Sequence, residues 1–242
     1  MADDVLPPSV YHQTAGACGY GVAVTSYYGS HLAAAVPSIF NDGTGCGACF
    51  QIRCKNKKLC SEGGTKVVVV TELGLGLGSS SSSMNVTTDL VLSRRAFRAL
   101  SKLGLHRHLF GLGIVDIQYH RVACEYEHRN LGIRVEESSH KPHHYLAITL
   151  LFQGGQTHIL AVSVAKVGTG DWRDMTRNHG AVWHTTRAPA GALEFLVVVT
   201  SGYDGKYYYL KNVMPGEWKI GVIYDTGLNL TDIAPENCPT MG

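Results

Sequence analysis

The sequence of 242 residues predicts an all-β protein of two domains. Two observations predict the β class: most apolar segments are short and rich in β-branched residues, and 28 glycines supply turns between them. A third observation separates the domains. Six of the seven cysteines lie between residues 18 and 124, whereas the chain beyond them shows a pattern of strands and turns.

The first domain is organised around the segment 45–54, Gly-Cys-Gly-Ala-Cys-Phe-Gln-Ile-Arg-Cys. Clustered cysteines either bind zinc or form disulfides. Cys46 and Cys49 form the only C-x-x-C pair, and no histidine pair stands at zinc-finger spacing from it, so disulfides are favoured over a metal site. Six cysteines allow on the order of 15 pairings that spacing alone does not separate. Because disulfides persist in oxidising compartments, this interpretation places the protein outside the cytosol.

Charge and hydropathy exclude several classes of partner. A net charge of +2 is too small to predict binding to nucleic acid or to an acidic membrane. No run of 18 apolar residues predicts a membrane span, and no cofactor motif is complete. The segment 1–8 lacks the basic and apolar regions of a secretory signal, which conflicts with a disulfide framework. We expect that a signal is missing from this sequence.

The elements of the first domain follow from local patterns. The β-branched run 66–71 predicts a buried strand. The glycine and serine run 74–83 resembles a dinucleotide-binding loop only partly, because its sixth position is Ser79 and no helix follows, so a surface loop is favoured. One helix is predicted from a cap at Ser93 to Gly104, and a strand is predicted over 114–119. The apolar positions of that helix are Ala96, Phe97, Leu100 and Leu103.

The polar segment 136–142 ends in a proline and suggests a domain boundary. We therefore predict a first domain over residues 1–130, a linker over 131–143 and a second domain over 144–242. Four strands are predicted in the second domain, and a Gly-Tyr-Asp-Gly turn joins the last two as a hairpin. These strands cover residues 146–152, 159–167, 193–200 and 206–213. Several short strands in about 100 residues are typical of a β-sandwich.

Several motifs together resemble the plant expansins, most closely the expansin-like A branch. The resemblance covers the chain from Gly16 to Asp232. The matching segments are 16–21 (Gly-Ala-Cys-Gly-Tyr-Gly), 46–50 (Cys-Gly-Ala-Cys-Phe), 122–124 (Val-Ala-Cys), 177–183 (Arg-Asn-His-Gly-Ala-Val-Trp) and 202–206 (Gly-Tyr-Asp-Gly-Lys), together with Cys54 and Cys60.

The resemblance implies a fold, a disulfide pairing and a function. The expected fold is a six-stranded double-psi β-barrel followed by an immunoglobulin-like β-sandwich that binds carbohydrate. The expected function is that of a secreted, monomeric plant cell-wall protein that binds cellulose or another β-glucan and modifies or loosens its contacts without hydrolysis. It is expected to need no metal or cofactor. The implied disulfides are Cys18–Cys46, Cys49–Cys124 and Cys54–Cys60, with Cys238 unpaired.

The barrel of the family resembles that of inverting glucanases, which need two carboxylates. Expansins retain one, an Asp in a His-Phe-Asp-Leu-Ser motif. Here Val91 stands where that Asp is expected, and Asp89 stands where the His is expected. Glu72 after Thr71 stands where the family has a second Asp. Asp89 and Glu72 are therefore the candidate acids, with solvated loop carboxylates as the alternative, and we predict that the protein is not an enzyme.

Flat aromatic side chains bind the C–H faces of sugar rings. A line of exposed aromatic side chains on a sheet therefore forms a platform that binds polysaccharide. The resemblance implies that Trp183 belongs to this platform, and it adds Phe152 and Trp172 as candidate platform residues. Among three consecutive tyrosines at least one faces outward in a strand, which adds Tyr207. The alternative is that these rings belong to the core. Asn85 and Asn229 begin glycosylation sequons.

Two other functions stay open at this point. One is a weak glycoside-cleaving enzyme on the same barrel. The other is a wall-binding module without loosening activity.

Overall fold

The computed structural model describes residues 16–72, 88–126, 128–141, 144–153, 157–200 and 206–230. The chain divides into two compact units, residues 1–122 and 123–242. Among the described residues, no helix is long and apolar enough to cross a membrane.

The first unit contains a five-stranded sheet. Its strands are β1 (Leu32–Ala35), β2 (Cys49–Cys54), β3 (Thr65–Glu72), β4 (Leu90–Leu92) and β5 (Ile117–Val122). Their order is β4-β1-β3-β2-β5, and β1 and β3 are parallel while the other neighbours are antiparallel. The valine run of β3 lies in the centre and is buried on both faces, which suits β-branched side chains.

This sheet curls towards closure. Tyr119 on the edge strand β5 lies within hydrogen-bonding reach of Asp89, which directly precedes the opposite edge strand β4. The edges of a flat five-stranded sheet would stand about 19 Å apart, at ~4.8 Å per strand. The inside of the curl holds a core of small and β-branched side chains that includes Ala33, Ile52 and Val69.

Disulfides reinforce the first unit. Cys18 bonds Cys46 across 28 residues of sequence, and Cys54 bonds Cys60 across six. Cys49 of this unit and Cys124, at the start of the second unit, are also each disulfide-bonded. These are the cysteines that the resemblance assigns to disulfides, and Cys238 lies outside the described residues. Within the described ranges, no group of three or more His, Cys, Asp or Glu residues could hold a metal ion.

The first unit has more helices than the sequence predicted. They are α1 (Val24–Tyr28), α2 (Pro37–Phe40), α3 (Arg94–Ala99) and α4 (His106–Leu112). Ser93 caps α3 as predicted, since its hydroxyl accepts from the Ala96 N–H at 3.3 Å. The predicted extension to Leu103 is wrong, because the chain leaves the helix to form a β-bridge between Ser101 and Cys60 and Leu103 is fully exposed.

The second unit contains an eight-stranded antiparallel sheet. Its strands are β6 (Gly132–Val135), β7 (Leu146–Leu151), β8 (Ile159–Lys166), β9 (Arg173–His179), β10 (Val182–Thr185), β11 (Leu193–Val199), β12 (Lys206–Met214) and β13 (Ile223–Asp225). The order is β12-β11-β8-β9-β10-β7-β6-β13. The turn 202–205 lies outside the described residues, but Val199 pairs with Lys206 on either side of it, so β11 and β12 form the predicted hairpin.

This sheet folds over itself into a sandwich. Ile148 on β7 and Phe195 on β11 belong to one hydrophobic core, although three strands separate β7 from β11 in the sheet. Strands that far apart meet only when the two halves of the sheet pack face to face. The predicted class, an all-β protein with a barrel and a β-sandwich, is confirmed.

The domain boundary differs from the prediction. The units divide after Val122 instead of residue 130, and the predicted linker 131–143 contains β6, which pairs with both β7 and β13. The polar residues 136–141 lie in the connection between β6 and β7. A polar run ending in proline is typical of linkers and of tight turns alike. The predicted surface loop 74–83 lies outside the described residues.

Candidate functional site

The outer face of the second unit carries exposed aromatic side chains along β12. Tyr207 and Tyr209 are 63% and 62% exposed, whereas Tyr208 between them packs against the core. This is the alternation of a strand with one face on the core and one face outside. The sequence predicted Tyr207 as a candidate and gave no reason to choose it over Tyr209; the structure places both on the outer face.

Trp172 approaches these tyrosines across the same face of the sheet. The Trp172 and Tyr209 rings approach edge to face, with centroids 6.0 Å apart and planes at 62°. Trp172 directly precedes β9, and the strands β11 and β8 separate β9 from β12. Three strand spacings amount to about 14 Å, so both rings lie over the strands between them.

Half-buried aliphatic side chains lie beneath this aromatic face. Leu196 and Val198 on β11 pair with Tyr209 and Tyr207 and therefore point to the same side of the sheet. In the next strand, the Ser163 hydroxyl donates a hydrogen bond to Asp174 at 2.8 Å. The result is a shallow surface of rings and methyl groups with a carboxylate at its border, which is suited to flat ligands that present C–H faces and hydroxyls.

Trp183, predicted as a platform residue, is buried, with only 3% of its surface exposed. It lies on β10 between Ile148 of β7 and Arg177 of β9, on the side that faces the core. The Arg177 guanidinium carbon stands 4.2 Å from its ring centroid. The ring therefore presents no face to a ligand, and the alternative of a core residue is the correct one.

Phe152 is also buried, at 5% exposure. It follows β7, and its backbone has a positive φ of 59°. Its ring packs against Tyr126, with centroids 5.4 Å apart, and lies under the guanidinium of Arg129 at 4.9 Å. Phe152 does not belong to the aromatic face. The sequence contained a signal against its exposure, because Phe152 continues the alternation of the apolar residues Ile148 and Leu150.

A second candidate site lies in the first unit, where Asp89 meets Tyr119. Partial burial raises the pKa of the Tyr119 hydroxyl above its ordinary value, and the charge and hydrogen bond of the Asp89 carboxylate raise it further. Phe50 packs edge-on against Tyr119, with centroids 6.0 Å apart. Arg121, on the same face of β5, is buried enough that its pKa falls to about 10. Nothing in the sequence pattern had singled out Tyr119.

The candidate acids lie at one end of the sheet. Ala35 on β1 pairs with Glu72 on one side and with Leu90, the neighbour of Asp89, on the other. Two strand spacings put the backbones of Glu72 and Leu90 about 10 Å apart. Val91 of β4 pairs with Ala34 of β1. It stands at the position where the resemblance expects an acid, but its side chain is aliphatic. Asp89 is exposed and Glu72 is half-buried.

Only one of the two glycosylation candidates falls within the described residues. Asn229 is exposed near the end of the described chain, and Asn85 falls outside the described residues. Use of either sequon stays a prediction.

Comparison with known proteins agrees with the two-unit architecture. Residues 131–215 match the family model described as the expansin C-terminal domain, and residues 32–119 match the DPBB_1 model, described as lytic transglycolase. The chain is 52% identical to expansin-like A3 of Arabidopsis thaliana over 95% of its own length and 84% of that protein. It is 44% identical to expansin-like A3 of Oryza sativa subsp. japonica, over 87% of this chain and 72% of that one.

Solved structures share the fold at low sequence identity. The crystal structure of an apo expansin from Clavibacter michiganensis superposes with a TM-score of 0.63 at 20% identity, covering 93% of this chain and 94% of that one. A mutant of the same bacterial protein, solved in complex with cellohexaose, gives the same TM-score and covers 95% of that chain.

Proposed function

Because this chain belongs to the expansin family, in its expansin-like A branch, we propose that it is a non-hydrolytic plant cell-wall protein that binds a β-linked glucan. The observation that carries the proposal is the aromatic face formed by Trp172, Tyr207 and Tyr209 on the outer side of the second unit. We assign the ligand to this face instead of to Trp183.

The arrangement of the rings suits an extended chain of sugars. Tyr207 and Tyr209 are two positions apart on one strand, and Trp172 extends the surface across β11 and β8. Because Tyr207 and Tyr209 sit on a hydrogen-bonded strand, little of their conformational entropy is lost when a ligand binds. The bacterial structural relative has been crystallised with cellohexaose, which supports a glucan as the ligand class.

The first unit supports a protein that disturbs polysaccharide contacts without cleaving them. Hydrolysis with inversion needs an acid and a base held ~6.5–9.5 Å apart. Val91 replaces the expected acid, and the Asp89 carboxylate lies close enough to the Tyr119 hydroxyl to raise its pKa. Glu72 remains as a single half-buried carboxylate at the end of β3.

A cellulose co-sedimentation assay tests the aromatic face. Trp172→Ala and the double variant Tyr207→Ala with Tyr209→Ala should each weaken retention about tenfold, which corresponds to ~1.4 kcal/mol. Ile220→Ala is the matched control, since Ile220 is an exposed apolar residue of the same unit at 49% exposure. Retention that is equal in all variants would refute the assignment.

Two further assays separate the alternative functions. Release of reducing sugar from cellulose or mixed-linkage glucan that is lost in Asp89→Asn would identify a weak hydrolase. Binding without any extension of isolated walls under load would identify a wall-binding module without loosening activity. We expect extension without sugar release.

A further inference from the structure

We propose that a basic groove of the first unit binds an acidic wall polysaccharide, a polymer of uronic acids, separately from the aromatic face. This inference rests on the proposed function, since the wall supplies the polymer. The groove is lined by His31, Arg94, Arg95, Arg98, Lys102 and His106. No Asp or Glu occurs between Leu90 and Val115, so the segment that forms most of the groove is entirely free of acids.

The net positive charge of the chain lies in this unit, which has fewer acidic residues than the other. Residues 1–122 carry eleven Lys and Arg against seven Asp and Glu, whereas the remainder carries ten against twelve. The small net charge of +2 therefore hides a basic unit of +4 and an acidic unit of −2. A conclusion drawn from net charge alone, that no anionic partner is expected, does not hold for the first unit.

Three of the cations of the groove are exposed to a ligand. Arg94, Arg98 and Lys102 are exposed, and in the part of the chain that the structure describes none of them forms an ion pair. Arg94 and Arg98 are four residues apart on α3 and so share one face of the helix. Guanidinium groups bind carboxylates through two parallel hydrogen bonds, which favours a ligand with carboxylates over one with hydroxyls alone.

Packing holds the walls of the groove in place. Phe97 of α3 contacts Phe110 of α4, with ring centroids 5.3 Å apart, and the Arg94 guanidinium lies 5.7 Å from the same Phe110 ring. The Ser93 cap fixes the start of α3, because its hydroxyl also donates to the Ser30 carbonyl at 2.7 Å. The cations are therefore presented by an ordered surface.

A second basic segment adjoins the groove. The Lys102 ammonium donates to the Lys57 carbonyl at 2.6 Å, and the Lys102 N–H donates to the Leu59 carbonyl at 2.8 Å. The Cys54–Cys60 disulfide closes the loop that carries Lys57 and Lys58, both of them exposed. Two segments distant in sequence thus join their charges into one extended surface, longer than a single small anion needs and suited to a linear polyanion.

The test is affinity electrophoresis or pull-down with polygalacturonate, the probe for the acidic polymer. The triple variant Arg94→Gln, Arg98→Gln and Lys102→Gln removes three charges from the groove. The matched control Lys166→Gln, Arg187→Gln and Lys219→Gln removes three exposed charges from the other unit. We expect the groove variant to lose at least tenfold in binding, the control to stay within twofold, and added salt to weaken binding of the unaltered protein.

Other arms separate this proposal from the proposed function. The groove variant should keep full retention on cellulose, and Trp172→Ala should keep full retention on polygalacturonate. If the groove variant and the control lost polygalacturonate binding equally, overall charge instead of the groove would account for the binding, and the proposal would be overturned. Equal binding to the fully methyl-esterified polymer, or to DNA, would overturn the assignment of a uronate ligand.

Discussion

Replacing Trp183 by Ala should destabilise the second unit strongly while leaving its ligand surface in place. The indole is 3% exposed within the core of the sandwich. It fills the space between Ile148 and Arg177 on the neighbouring strands, and the Arg177 guanidinium stacks on it at 4.2 Å. Trp172→Ala is the matched comparison, because the same side chain is removed from the outer face of the same unit.

The expected magnitudes differ several-fold. Removing a buried Trp or Phe costs about 3–5 kcal/mol through lost burial and the cavity that remains. Loss of a desolvated cation–π contact is worth a further ~2 kcal/mol, part of which is recovered by relaxation. We therefore expect a loss of about 4 kcal/mol, or a fall in Tm of about 15 °C for a unit of this size. For Trp172→Ala we expect about 1 kcal/mol, the worth of one edge-to-face aromatic pair.

Calorimetry of the disulfide-intact protein measures both losses, and cellulose retention is then scored per folded molecule. Trp183→Ala should unfold early and still bind cellulose when folded, whereas Trp172→Ala should fold normally and bind poorly. The reverse pattern, with a Tm loss under about 3 °C and no binding in Trp183→Ala, would show that Trp183 reaches the ligand and that this reasoning is wrong.

Three further predictions concern the first unit. Ser93→Ala should lower the free energy of unfolding in urea by about 1–3 kcal/mol, because it removes a helix cap and leaves buried backbone N–H groups unpaired. A loss no greater than that of an exposed Ser→Ala control would contradict this. Replacing Cys54 and Cys60 by Ser should lower the free energy of unfolding by only about 2 kcal/mol, since the closed loop is short. It should also weaken polygalacturonate binding, because the loop carries Lys57 and Lys58; unchanged binding would show that the loop is not part of the binding surface. Asp89→Asn should lower the pKa of Tyr119 towards its ordinary value, because a negative charge that favours the protonated phenol is lost. A spectrophotometric titration of tyrosine identical to that of the unaltered protein would argue against a contact between Asp89 and Tyr119.

Local patterns predicted much of the fold. The valine run of β3, the cap at Ser93 and the hairpin between β11 and β12 each depend on neighbours within a few residues, and all three are present. The predicted helix ran too far because Leu103 sits at helical spacing. The β-bridge from Ser101 to Cys60, which ends that regularity, joins segments some forty residues apart.

Local sequence patterns do not predict which aromatic side chains are exposed. Tyr207 and Trp183 both lie in strands, and alternation establishes only that neighbouring residues point to opposite sides. Which side faces the core depends on how the eight-stranded sheet folds over itself. Trp172 joins the proposed ligand surface only because Tyr209, three strands away, approaches it to 6.0 Å between ring centroids.

The sequence by itself determined the all-β class, the family, the cysteines of the disulfide framework and the absence of an acid at Val91. Those properties are carried by residue identity and short-range spacing. Only the tertiary structure decided which rings are exposed and that Lys57 lies beside Lys102 in one basic surface. Burial and the meeting of distant charges depend on long-range packing, and a pattern of period two or 3.6 carries no information about which distant segment will cover a given face.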